Sequence, residues 1–209
     1  MNTATTIRIT AAGFLGAAVI GFPGVAYAEE FGDPDGAAAY WAEQSYDDCA
    51  IMSAADVVGQ MTGAAPPEDE ITAWAASTPS VSEPGDMIYM HGEDPNDPAA
   101  GSIFKDLPIV LDHYGVPAQY VGGSSLPALQ EVLGRQGAVI VNLNGETIWD
   151  VPGDRSQADH ALVVTGVDTD TGMVHLNDSG DENGANSQVT IDTFLAAWQT
   201  SGNEMVTTT

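Results

Sequence analysis

Ala138-Val139-Ile140-Val141-Asn142-Leu143, then Ala161-Leu162-Val163-Val164-Thr165 and Met173-Val174-His175-Leu176, mark where the apolar period of this chain changes from helical to extended. Short β-branched and aliphatic runs bounded by Gly145, Asp170-Thr171-Gly172 and Gly180 to Gly184 read as strands joined by turns. Val189 to Ile191 and Glu204 to Thr208 add two short strands, separated by a helix that Asp192 caps and that runs through Trp198.

Upstream of this block the period is helical. Ile51, Ala54, Ala55, Val58 and Met61 recur at helical spacing, which predicts a helix over Cys49 to Met61, with Asp47 and Asp48 where an N-cap belongs. Ala37 to Glu43 reads as a short helix, Pro66 through about Ala76 as another, Ser102 to Tyr114 as helical in part with a restart at Asp106, and Leu126 to Gln136 as a last one. Helices first and an antiparallel sheet second give an α+β chain with one domain.

The ends and the bulk composition set the compartment and exclude some partners. Met1 to Ala28 has one charge, Arg8, an apolar run from Ala11 to Val25, and Ala26-Tyr27-Ala28 at its close. This pattern predicts a secretory signal cut after Ala28, since the run is broken by glycines and Pro23 and is shorter than the ~20 residues of a membrane span. Residues 29–38, rich in Gly, Pro and Asp, are then expected to be a flexible lead-in. The formal charge of −26, from 30 acids against 4 Lys and Arg, repels nucleic acid and anionic lipid, so neither is expected as a partner. The single cysteine, Cys49, has no partner for a disulfide within the chain.

That cysteine opens a predicted helix, whose unpaired N–H groups favour a thiolate. A thiolate nucleophile needs an imidazole. Of His91, His113, His160 and His175, only His160 opens an apolar strand that would aim its ring, whereas His175 lies within the next strand as a face residue. The imidazole in turn needs an acceptor, and Asp178 ends the strand that would pair with that of His160, with Asn177 as the alternative. Gln44, neutral and five residues before Cys49, is the candidate side-chain donor to an oxyanion. Trp149, in the loop before His160, is read as a core aromatic or as a wall of a substrate groove.

The segments Gln44-Ser45-Tyr46-Asp47-Asp48-Cys49, Ala158-Asp159-His160-Ala161-Leu162-Val163-Val164-Thr165-Gly166-Val167-Asp168 and Val174-His175-Leu176-Asn177-Asp178 resemble the C39-like peptidase family of the papain-like superfamily. The resemblance spans about residues 40–208, including Gly137 to Val141 and Thr190 to Trp198. It implies a papain-like domain over residues 39–209, with the nucleophile on a helix N-terminus packed against a C-terminal antiparallel sheet. It also implies Cys49 as nucleophile, His160 as general base then acid, Asp178 as orienter and Gln44 as oxyanion donor, cleaving peptide bonds through an acyl-enzyme without a cofactor. The chain departs from the family pattern at Ala50-Ile51, where Gly-Pro is common, and at Ser179, where proline is common.

Two other readings share the same residues. One is a catalytically idle papain-like domain that binds a peptide or cell-envelope partner; the other is acyl transfer to an amine. A zinc site is not expected, because there is no second cysteine and no HExxH helix. The acidic turn Asp178 to Gly184 lacks the alternating ligands of a calcium loop.

Overall fold

The computed structural model describes residues 30–92 and 100–209. The expected signal segment, residues 1–28, lies outside the described residues. In chain order the elements are β1 (Glu30–Gly32), α1 (Pro34–Ala37), α2 (Cys49–Thr62), α3 (Glu68–Ser77), β2 (Tyr89–Met90), β3 (Gly101–Ser102), α4 (Leu107–His113), β4 (Ala118–Val121) and α5 (Leu126–Gly134). They continue with β5 (Val139–Leu143), α6 (Gly145–Ile148), β6 (His160–Asp168), β7 (Met173–Asn177), β8 (Ser187–Thr190), α7 (Ile191–Trp198) and β9 (Met205–Thr208).

The main sheet is antiparallel, in the order β4-β9-β5-β6-β7-β8, and β6 is its hub. β5 pairs with the first half of β6, from Leu143↔His160 to Val139↔Val164, and β1 pairs with its last three residues. β7 pairs with β6 from Val163↔Asn177 to Asp168↔Met173, with an irregularity between Val164 and Gly166.

Helices cover both faces of this sheet. Ile140, Ala161 and Val163 pack with α2, α3 and α4, whereas Val139, Val141, Leu143, Leu162 and Val164 pack with α5 and α7, around Phe194 and Trp198. Burial on two faces is why β5 and β6 read as unbroken apolar runs rather than as alternating ones. The first face belongs to α2, whose residues Ala50 through Gly59 are all buried. A helix enclosed this closely needs small side chains; a Cβ on Gly59 would sit 2.6 Å from Tyr40 Cδ1. Gly63, at φ 85°, ends the helix in the left-handed region that glycine adopts without strain.

A polar clamp joins α2 to the strand behind it. Asn177 Nδ2 donates to Asp56 Oδ2 at 2.8 Å and to the Ala37 carbonyl at 2.9 Å, and Gln60 Nε2 donates to Asp56 Oδ1 at 2.6 Å. Burial pushes the Asp56 carboxyl up to about 6, against the pull of its two amide donors. Asn177, the alternative acceptor for an imidazole, is thereby turned toward α2.

Several expectations are corrected. Residues 30–38 do not form the expected flexible lead-in: β1 adds to β6 and α1 follows it, because Phe31 packs against the α5 and α7 core. The helix expected over Ala37 to Glu43 shrinks to one 3-10 turn, Ala38–Tyr40, after which Trp41 extends and donates its indole N–H to the Asp178 carbonyl at 2.6 Å. Thr190, not Asp192, caps α7, its Oγ1 accepting the Thr193 N–H at 3.1 Å. Asp48 stands at the N-cap position of α2, but its side chain makes no capping bond.

Replacing Asp56 with Ala leaves Asn177 with an unmet donor in a buried site, and we expect it to lower the unfolding free energy by about 1–3 kcal/mol in urea titrations.

Candidate active site

Cys49 is half-buried on the first turn of α2, where backbone N–H groups have no partner within the helix. Facing it is His160, the first residue of β6 and nearly fully buried. The sulfur is within hydrogen-bonding reach of the imidazole. His160 Nε2 and Asp178 Oδ1 are 2.7 Å apart, which leaves Nδ1 as the ring nitrogen for Cys49. The antiparallel pairing of β6 with β7, with Val163 opposite Asn177, carries Asp178 to the end of the sheet at which His160 starts β6.

Hydrogen bonds from several directions besides the imidazole fix Asp178. Oδ2 accepts the Trp149 indole N–H at 2.8 Å, Oδ1 accepts the Gly180 N–H at 2.9 Å, the backbone carbonyl accepts from Trp41, and the backbone N–H donates to Gly184 O at 3.0 Å. The Trp149 ring also lies over His160, with centroids 4.8 Å apart. The returning turn allows no side chain at Gly184, where a Cβ would fall 1.8 Å from the Asp178 carbonyl oxygen.

Gln44 reaches the same cleft. Its backbone N–H donates to the Ser179 carbonyl at 2.9 Å, its Oε1 accepts from Ser179 Oγ at 2.8 Å, and its Nε2 donates to the Tyr46 carbonyl at 2.8 Å. The second Nε2 hydrogen has no protein acceptor among the described residues. Ser179, a departure from the family pattern, thus holds the glutamine.

Gln44, Cys49, His160 and Trp149 line one open cleft of about 790 Å³. Its rim carries Asp47, Glu83, Asp159 and Glu204 against Lys105. The other histidines are not among the residues that line this cleft: His91 bonds Tyr89 and packs against Tyr46, His113 stacks on Trp74, and His175 bonds Asn186. Sequence reasoning brought together Cys49, His160, Asp178 and Gln44 but missed Trp41 and the Ser179 contact. A tryptophan N–H needs an acceptor when buried, yet spacing does not reveal which one.

The Peptidase_C39 like family model matches residues 37–206. Uncharacterized proteins of Mycobacterium tuberculosis (Rv1268c) and Mycobacterium bovis (Mb1299c) are each 45% identical over 196 residues, covering 86% of this chain and 84% of theirs. The fold is similar to that of a crystallised C39-like peptidase candidate from Bacillus anthracis, with a TM-score of 0.66 at 15% identity, covering 87% of this chain and 98% of that one.

Electrostatics link this site to pH. Burial works against a charged imidazole, but the Cys49 sulfur and the Asp178 carboxylate outweigh it and push His160 up to about 10 from 6.5. Burial also works against a charged Asp178, and there His160, the Trp149 indole and the Gly180 N–H prevail, holding the carboxyl below 3.8. A raised imidazole stabilises the fold fully below pH 6.5, and that stabilisation is lost as pH climbs through about 10. A lowered carboxyl stabilises it above pH 3.8, and that stabilisation is lost as the pH falls through its folded value. Asp56, raised to about 6, favours the acid side as well. The urea midpoint is therefore expected to be higher at pH 5 than at pH 9, with Asp178→Asn flattening the alkaline slope.

Proposed function

Because the chain belongs to the Peptidase_C39 like family, we propose that it is a cysteine peptidase that cleaves peptide bonds through a Cys49–His160–Asp178 triad. The observation that carries this reading is the buried 2.7 Å bond between His160 and Asp178, with Cys49 at the other side of the ring and at a helix N-terminus.

In this mechanism the Cys49 proton resides on His160 Nδ1, and the sulfur attacks the scissile carbonyl carbon. The oxyanion that forms is met by the Cys49 backbone N–H and the free amide hydrogen of Gln44. His160 then gives its proton to the departing amine, the C–N bond breaks, and a thioester on Cys49 remains. Water loses a proton to His160 while its oxygen adds to the thioester, and collapse returns the thiolate and the acid product. Asp178 stays ionised throughout and holds the ring in one orientation. The acidic rim supports peptides with basic or neutral side chains as substrates.

Cleavage of a diverse peptide library, read by mass spectrometry, is expected to vanish in Cys49→Ala. Peptide binding that survives Cys49→Ala, with no cut by either protein, is the result expected of the idle-domain reading. The alkaline limb of kcat/KM is expected near pH 10, where His160 loses its proton, and Asp178→Asn moves it to lower pH. Export is part of the same proposal. N-terminal sequencing of protein collected outside the producing cell should begin at Glu29, and retention of residues 1–28 would contradict it.

A further inference from the structure

Asp48 immediately precedes the proposed nucleophile and is fully buried, at 0% exposure. A buried aspartate at an N-cap ordinarily accepts backbone N–H bonds from the first turn. Here it does not, and among the described residues no N–H of another residue donates to either carboxyl oxygen. The group that its carboxyl meets is the side chain of Glu68, on the first turn of α3. Both Glu68 oxygens are already engaged, Oε1 by the Ser45 N–H at 2.6 Å and Oε2 by the Ser45 hydroxyl at 2.9 Å.

Two neighbouring carboxylates, one of them fully buried, cannot both be ionised without repulsion, and one proton between them relieves it. Asp48 is fully buried, whereas Glu68 is only half-buried and already holds two donors from Ser45, so the proton belongs on Asp48. We propose that Asp48 and Glu68 share this proton, and that Asp48 is a positioning residue whose neutral carboxyl keeps a full negative charge off the first turn of α2, beside the Cys49 thiolate.

The inference rests on the reading of Cys49 as a nucleophile and adds the group that governs its charge. The same bond ties the Gln44 to Asp48 loop to α3 through Ser45, which sets the oxyanion glutamine relative to the thiol. Other charged or titratable groups around Asp48 are Asp47 and Tyr46 on its own loop and Tyr89 on β2, whose hydroxyl in turn bonds His91. Asp47, Tyr46 and Tyr89 are all acids and offer no positive charge to an ionised Asp48. Burial first, then Glu68, raise the Asp48 carboxyl to about 7, so the proton is released within the neutral range.

The test is the pH dependence of Cys49 alkylation by iodoacetamide, which requires no peptide substrate and uses the single thiol of the chain. Asp48→Asn keeps a donor to Glu68 but cannot ionise. Its rate is expected to match wild type near pH 5.5 and to exceed it by about threefold or more at pH 8.5, with the ratio changing around pH 7. Glu68→Gln removes the charge that holds the proton on Asp48, so the wild-type break should move to lower pH. Asp48→Asn acting equally at every pH would reveal a purely structural role and overturn the proposal, as would an unmoved break in Glu68→Gln. These results stand apart from peptide cleavage, which can fail while the alkylation profile behaves as expected.

Discussion

An imidazole and a carboxylate 2.7 Å apart, nearly out of contact with water, are stable only where the surrounding protein supplies the interactions that solvent would have given. This constraint organises the molecule around His160 and Asp178. Trp149 and Gly180 supply donors to the carboxylate, Trp41 pins the backbone of the same residue, and Gly184 leaves room for the turn to close. The sheet register does the remainder by bringing the end of β7 to the start of β6.

The other half of the site comes from a helix with little freedom to move. Residues Ala50 to Gly59 of α2 are buried on the face of β5 and β6, and the Asp56–Asn177 bond ties the second turn of α2 to the residue next to Asp178. Cys49 is therefore aligned with His160 by packing along a helix and by one buried polar clamp. The clamp and the pair lie at consecutive positions of the chain, Asn177 and Asp178, with one side chain directed to the helix and the next to the imidazole.

Much of this was legible in the residues. The apolar period located α2 and the β5, β6 and β7 strands, and the chemistry of Cys49, His160, Asp178 and Gln44 singled out residues that the fold brings to one candidate site. What was not legible depends on long-range partners. β1 reads as Gly- and Asp-rich coil until the end of β6 offers it a ladder, and β4, four residues long, is too short to announce itself before β9 pairs with it. Asp48 fits an N-cap by type and position, yet its fully buried side chain makes no capping bond. Ser179 is a departure from the family pattern by sequence and a support for Gln44 in space.

The central claim is that Cys49, activated by His160, forms a covalent bond to substrate. Intact-mass spectrometry after acid quench of the protein with an activated peptide ester tests it most directly. The account predicts a mass gain equal to the acyl group, mapped to Cys49, released by hydroxylamine and absent in His160→Ala. An unmodified Cys49 in the wild-type protein, or equal acylation in His160→Ala, would contradict it.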